Sequence, residues 1–447
     1  MAAWYDSAIF YHIYPLGLCG CEKENDYILK EGGFNRLNQW ADHMADMGFD
    51  AVYIGPLFES GTHGYDTTDY KKVDSRLGTN EEFASWVKLC HQKGIKVVVD
   101  GVFNHTGRDF FAFKDLMERK WDSWAKDWYC HVNFNESGPF NDGFSYESWR
   151  GYAILPRLNM QNKAVRDYML DVVRFWIREF DIDGIRLDCA DVLDFEFMRQ
   201  LRETTEAVKS DFWLMGEVIH GDYGRWVNDK MLHSVTNYEL HKGIYSAHNS
   251  HNYFEMAHSV LRLFGPYGLC KGARLYNFVD NHDVDRITNK LADKRDLVPV
   301  YVFLYTIWGI PSVYYGSEFG IEGQKADGSD NFLRPAIDLQ SFINPDPELT
   351  GLLKSLSEIR KNHEALSFGE YKELFLQNRQ YAYGRVYNGQ ACITVLNNDD
   401  GPKELYIPLP CGGSKAKNLL NDTPVQICDG KLRVTIKGHD GIIVSVI

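Results

Sequence analysis

Apolar residues along this chain fall into two alternating rhythms, one strand-like and one helical. Ala8–Tyr14 (AIFYHIY) is a short apolar run stopped by Pro15 and Gly17, which predicts a first strand. Phe34–Met47 carries apolar residues at helical spacing and ends before Gly48. Phe49–Ile54 predicts a second strand, Phe83–Lys93 a helix closed by Gly94, and Ile95–Val99 a third strand. From Thr106 to about Ala153 the rhythm breaks, and aromatic, Gly and Asn residues dominate. So long a stretch without periodicity is unusual inside a compact domain and predicts a functional insertion. Val165–Phe180 then resumes as an amphipathic helix. Ile182–Leu187 and Phe212–Met215 predict strands four and five, on either side of a helix at Phe195–Lys209. Ser234–Thr236, Leu275–Val279 and Ile310–Tyr315 complete a set of eight strands.

Eight strands alternating with helices predict an α/β fold, a (β/α)8 TIM barrel, in which functional groups collect at the C-terminal strand ends. After about Gly369 the pattern changes to short alternating strands: Tyr381–Val386, Ala391–Leu396, Glu404–Ile407, Leu432–Ile436 and Gly441–Val446. Turn signals such as Asn388-Gly389 and Asp429-Gly430 separate them, which predicts a small all-β sandwich. The expected domains are a barrel over residues 1–105 and 154–368, an insertion over 106–153 after strand three, and a C-terminal sandwich over 369–447. Leu297–Gly316 is nearly free of charge and about long enough to cross a bilayer. Pro299, Gly309 and Pro311 interrupt it and no basic flank orients it, so it reads as a buried helix running into strand eight.

Composition narrows the function classes. A net charge of -14 disfavours nucleic acid and anionic membranes as partners, because both recruit basic patches. Aromatic residues make up 14%, enough to supply stacking surfaces for the flat apolar faces of sugar rings as well as a core. The nine cysteines are odd in number and scattered, which argues against a disulfide framework. Only Cys19 and Cys21 are close, and no second pair completes a zinc set. The first residues show no basic region before an apolar run, so no signal peptide is expected and a cytoplasmic location is the simplest account.

Candidate chemistry lies at four strand ends. Strand three ends in Asp100-Gly101-Val102-Phe103-Asn104-His105, and strand four supplies Arg186 and Asp188, which share a face because strand side chains have period two. Strand five ends in Gly216-Glu217-Val218, and strand seven runs into Asp280-Asn281-His282-Asp283. Each group alone has a structural reading, as a helix cap or an ion pair. Together, three acids on one rim cannot all stay ionised cheaply, so one pKa must rise, and that group becomes a general acid. Glycoside hydrolysis needs such a pair. Asp188, held ionised by Arg186, would be the nucleophile; Glu217, pushed towards protonation by its acidic neighbours, would be the acid/base; and Asp283 would stabilise the transition state. On these grounds alone the three roles stay partly interchangeable.

The stretches DGVFNH, GIRLDCAD, GEV and FVDNHD, in this order, resemble the four signature regions of the α-amylase family (glycoside hydrolase family 13). HGYDTTDY (His63–Tyr70) is similar to that family's loop after strand two, and GIPSVYYGSE (Gly309–Glu318) to its strand-eight motif. The resemblance covers essentially the whole chain and implies the roles above for Asp188, Glu217 and Asp283. It also implies that Tyr65, His105, Arg186 and His282 line the sugar subsite at the cleavage point, with Asp330 and Arg334 binding the same sugar. VVVDGVFNHTG, LPRLN and VRDYMLDVVRFWIREFDIDGIRLD look nearest to the neopullulanase and cyclomaltodextrinase group. That group usually carries an extra N-terminal β domain that helps form dimers, whereas this chain opens directly at strand one, so oligomeric state stays open.

Several positions depart from the family pattern. Ile219 stands where the group often has Trp, while His220 still matches. Cys189 replaces the Thr or Val that separates α-1,4 from α-1,6 preference in some relatives. Asp191 and Val192 replace a Lys and a calcium-site His, and Leu16–Tyr27 lacks an Asp-rich calcium loop. Asn104 matches a calcium ligand, but one oxygen falls short of the roughly six to eight that calcium takes, so no metal or other cofactor is expected to be required. The resemblance thus implies a retaining α-glycosidase for α-1,4 links of short or cyclic maltodextrins. The alternatives are a transglycosylase or α-glucosidase on the same scaffold, or a catalytically silent binding module.

Overall fold

The computed structural model describes residues 2–326 and 329–447. Eight parallel strands form the centre: β1 (Phe10–Ile13), β2 (Ala51–Ile54), β3 (Lys96–Gly101), β4 (Gly184–Leu187), β5 (Trp213–Gly216), β6 (Ser234–Val235), β7 (Tyr276–Phe278) and β8 (Ile310–Tyr314). They pair in the order β6-β5-β4-β3-β2-β1-β8-β7. The remaining seam, between β6 and β7, is joined by the bridge Thr236–Tyr276 and by the Asn237 amide donating to the Tyr276 carbonyl at 2.9 Å. The result is a nearly closed barrel, with helices between successive strands as the sequence predicts.

Period-two alternation sorts each strand into two faces. Phe10, Ala51, Tyr53, Val98, Trp213, Met215, Tyr276, Phe278 and Ile310 pack together as a core inside the barrel. Their neighbours Tyr11, Val52, Val97, Val99, Ile185 and Leu214 join a much larger core under the helices. Continuing the inward parity past the strand ends brings up Asp100, Asp188 and Glu217. Gly55 belongs to this arrangement: a Cβ there would lie 2.3 Å from Asp100 Cβ, so only glycine leaves room for that carboxylate.

Boundaries moved where local chemistry acts. The helix expected from Phe83 spans Asn80–Gln92, because Thr79 and Glu82 form a reciprocal cap: the Glu82 amide donates to Thr79 Oγ1 at 3.2 Å and the Thr79 amide to Glu82 Oε2 at 2.8 Å. The apolar stretch from Leu297 is a buried helix over Leu297–Thr306 that leads into β8. Among the described residues no helix is long and apolar enough to cross a membrane. A hairpin of Phe58–Ser60 and Thr67–Val73 follows β2 and was not expected. Its first arm is three residues long and its second (TTDYKKV) is polar, so neither shows an apolar run.

The C-terminal region holds β9 (Glu370–Leu376), β10 (Gln380–Tyr387), β11 (Gln390–Asn397), β12 (Lys403–Pro408), β13 (Ala416–Asn418), β14 (Gln426–Cys428), β15 (Lys431–Ile436) and β16 (Asp440–Val446). A sheet ordered β9-β10-β11-β16-β13 faces a second ordered β12-β15-β14. Ile393, Val395 and Val444 from the first pack with Leu405, Ile407, Leu432 and Val434 from the second. β9, β13 and β14 add to the five expected strands; β9 is half-buried and the other two are three residues each.

Buried polar contacts tie this unit to the barrel. Arg385 Nη1 donates to the Thr306 carbonyl at 2.9 Å and Nε to that of Gly369 at 3.0 Å. On the turn before β16, His439 Nδ1 lies 2.8 Å from Asp296 Oδ1, at the start of the Leu297–Thr306 helix. Its Nε2 lies 3.3 Å from Asp400 Oδ1 and 3.9 Å from Asp293 Oδ2, with Arg295 nearby as the opposing charge. Burial lowers the His439 pKa, but the bonds to Asp296 and Asp400 outweigh it, and the pKa lies above the ordinary histidine value. A raised folded-state pKa contributes stability that is complete below the unfolded value and fades as pH rises through the folded one. His439→Gln should therefore lower the melting temperature by about 2 °C at pH 6, and that gap should shrink by pH 9. Paired thermal melts check this; a gap that does not change with pH would contradict it.

Candidate active site

The inward parity of β3, β4 and β5 delivers a guanidinium among three carboxylates. Arg186 Nη1 lies 2.9 Å from both Asp100 Oδ1 and Asp188 Oδ1, and Nη2 lies 2.9 Å from Glu217 Oε2. All four side chains are buried or nearly so. A buried cation in this setting compensates acids that could not otherwise share a dry site. Burial works against the Arg186 charge, but Asp100 and Glu217 more than offset it, and its pKa stands well above the usual arginine value.

Burial is the largest cause raising the carboxyls of both Asp100 and Glu217. At Glu217, Arg186 opposes burial, and Asp188 and Asp283 add to it, leaving a value of about 8. Burial thus outranks the acidic neighbours expected from the sequence. Asp283 is driven the other way. Burial raises it, but His282, Arg334 and Arg186 hold it well below the usual carboxylate range. One oxygen each of Asp188 and Glu217, with Cys189 Sγ, lie within 4.8 Å of one another.

The remaining predicted residues close around these acids. His282 Nε2 lies 2.9 Å from Asp283 Oδ2 and also meets the Tyr65 hydroxyl. Tyr65 in turn donates to Asp100 Oδ2 at 3.1 Å. Arg334 Nη2 is 3.0 Å from Asp283 Oδ1 and 3.1 Å from Asp330 Oδ2, and its Nε donates to the His282 carbonyl at 3.0 Å. His105 is buried, and burial pushes its imidazole pKa down. Its Nδ1 lies 3.2 Å from Asn104 Nδ2. Tyr65, His105, Asp188, Glu217, Asp283, Asp330 and Arg334 all line one cavity of about 1400 Å³. Arg186 and His282 are buried among them and hold the wall together.

Other residues of the site lay outside the prediction. Asp100 stood inside the DGVFNH stretch, yet no role was assigned to it. Tyr53 donates to its Oδ2 at 2.7 Å. Tyr14 stacks on His282 with centroids 5.8 Å apart. Trp149, Arg150 and Tyr152 reach the cavity from the inserted stretch, where weak periodicity hid them. Trp149 stacks on Tyr152 at 5.7 Å, giving a flat aromatic wall suited to a sugar ring. Among the described residues, Asp188, Cys189 and Glu217 are the one trio of donors close enough to hold a metal ion, and Arg186 already occupies both carboxylates.

A buried carboxylate beside a buried carboxyl of raised pKa, facing a polar cavity with aromatic walls, is equipped for acid-assisted displacement at a sugar carbon. Comparisons with known proteins identify the family. The family model Alpha-amylase (Alpha amylase, catalytic domain) matches residues 13–348. A cyclomaltodextrinase of a Bacillus species is 30% identical over 420 residues, spanning 89% of this chain and 74% of that protein. A maltogenic alpha-amylase of Bacillus acidopullulyticus is 29% identical, spanning 98% of this chain and 77% of that one. A solved cyclomaltodextrinase structure superposes with a TM-score of 0.87 at 27% identity, covering 99% of this chain and 78% of that one. With eight strands, three acids and these relatives in agreement, the chain belongs to the alpha-amylase family of glycoside hydrolases.

Proposed function

We propose that this enzyme is a retaining α-glycosidase that hydrolyses α-1,4 links of short and cyclic maltodextrins. The relatives named cyclomaltodextrinase and maltogenic alpha-amylase support that substrate class. The mechanism is supported by one observation, a close approach of the two acids: one oxygen of Asp188 lies within 4.8 Å of one oxygen of Glu217. Retaining enzymes hold their carboxyls about 5–5.5 Å apart, whereas inverting ones need about 6.5–9.5 Å to admit a water. Asp188 attacks the anomeric carbon, and Glu217 donates its proton to the departing glycosidic oxygen. Glu217, now a carboxylate, then takes a proton from water as that water displaces Asp188. Asp283 faces the positive charge that develops on the sugar, and Tyr65, His105, His282, Asp330 and Arg334 hold the sugar hydroxyls.

Transfer to a sugar acceptor uses the same covalent intermediate and is the second reading. Ile219, which lines the cavity where related sequences often carry Trp, favours considering it, because an acceptor would pass that wall. The geometry also favours working without a metal, since Arg186 supplies the charge that the acids require. All nine cysteines are free, which supports a reducing, cytoplasmic setting.

Time courses on β-cyclodextrin, pullulan and maltohexaose test the substrate reading. Ring opening of β-cyclodextrin faster than attack on pullulan is expected; products longer than maltohexaose would favour the transferase instead. Asp188→Asn and Glu217→Gln should each cut turnover by at least about 10³-fold with the fold intact by circular dichroism, by analogy with the loss of other catalytic groups. Because the acid must be protonated, kcat/KM should fall as pH rises through about 8, and Glu217→Gln should lose that limb on a substrate with a good leaving group. Exhaustive chelation should leave activity intact, and collapse on chelation would refute the metal-free reading.

A further inference from the structure

Cys189 follows Asp188 directly, and its backbone φ is +49°, in the left-handed region that residues other than glycine seldom adopt. Such strain persists where the surroundings over-determine it, and it collects at active sites. Two contacts accompany it here. The Cys189 amide donates to Glu217 Oε2 at 3.1 Å, and its thiol donates to Asp188 Oδ2 at 3.1 Å. Arg186 already holds Asp188 Oδ1, so the thiol meets the other oxygen. The residue is only 6% exposed and lines the cavity. Burial, with Asp188 and Glu217 beside it, pushes the thiol pKa far above its usual value, so the sulfur keeps its proton and can donate.

We propose that Cys189 is a positioning residue for the glycosidase reaction, its S–H fixing the Asp188 carboxylate while its amide fixes the Glu217 carboxyl. The left-handed backbone lets one residue reach both acids. This inference rests on the roles given above to Asp188 and Glu217. The competing account is that cysteine here is a small apolar filler, as buried free cysteines usually are. That account predicts no effect on the ionisation of Asp188. The charged and titratable groups facing Asp188 are Arg186 and Asp191 from its own segment, Asp100 at the end of β3 and His105 after it, and His63 and Tyr70 from the hairpin. Glu217 faces it after β5, and Asp283 lines the same cavity after β7. Each of these keeps its residue type in a Cys189 variant, and the backbone amide that Cys189 gives to Glu217 is present in every one, so a shift in the acidic limb reports the thiol.

The test compares Cys189→Ala, Cys189→Ser and Cys189→Gly with the wild type and with Asp188→Asn, using full pH profiles of kcat and KM on maltohexaose. A thiol is a weak donor, so its loss should cost about five- to tenfold in kcat with KM within about twofold. The acidic limb should move up by about half a pH unit in Cys189→Ala. Cys189→Ser, which keeps a donor, should restore both. Cys189→Gly relaxes the backbone but lacks the donor, and should behave like the alanine variant. If Cys189→Ala keeps the wild-type limb and kcat, or if serine is as impaired as alanine, the proposal is overturned. Should Cys189→Ala fail to fold, the serine and glycine variants carry the comparison. Turnover surviving in Asp188→Asn would instead overturn the nucleophile assignment, whatever the cysteine variants do.

Discussion

One buried guanidinium, that of Arg186, makes the rest of the site affordable. Three carboxylates converge on it from three adjacent strands, at 2.9 Å each. Without it, Asp100, Asp188 and Glu217 would repel one another in a dry environment, and unpaired buried charge is strongly destabilising. Its planar fork serves several partners at once, which the compact ammonium of lysine does not match geometrically. The cation does not cancel the cost of burial, which still raises both Asp100 and Glu217. The Glu217 carboxyl therefore carries a proton near neutral pH, while Asp283, with His282 and Arg334 against it, stays ionised. Two carboxyl chemistries arise in one cavity from differing surroundings rather than from differing residue types.

The fold delivers that cation by parity. In a barrel strand, residues of one parity point inward, and the strand ends present them at one rim. Val98 leads to Asp100, Gly184 to Arg186 and Asp188, and Met215 to Glu217. The barrel supplies the acids in this way, while less regular segments supply the walls. Tyr65 comes from the turn of a hairpin, Trp149 and Tyr152 from the insertion, and Arg334 from the loop after β8. The cavity thus has a rigid floor and walls made of connections, the usual division between scaffold and specificity.

Much of this was legible in the sequence, and the reasons are physical. The eight barrel strands were visible because each is a short buried apolar run set between helical patterns. The acids, the histidines and Arg186 were visible because they sit where such runs stop. What stayed hidden lacks periodicity or depends on three-dimensional neighbours. The hairpin arms after β2 are too short or too polar to read as strands, and β9 is half-buried on both faces. Trp149, Arg150 and Tyr152 lie in a stretch with no repeat to place them. The dominance of burial at Glu217 needed the packed site. So did the contacts of Cys189, whose residue type suggested only a departure from related sequences.

The account claims above all that Asp188 forms a covalent bond with the substrate sugar. The most direct measurement is mass spectrometry of the enzyme after brief exposure to a fluorinated maltosyl fluoride, which slows release of the sugar, followed by proteolysis. The account predicts one glycosyl adduct, carried by the peptide that contains Asp188 and absent when Asp188 is asparagine. An adduct on another residue, or rapid turnover with no adduct at any time, would contradict it.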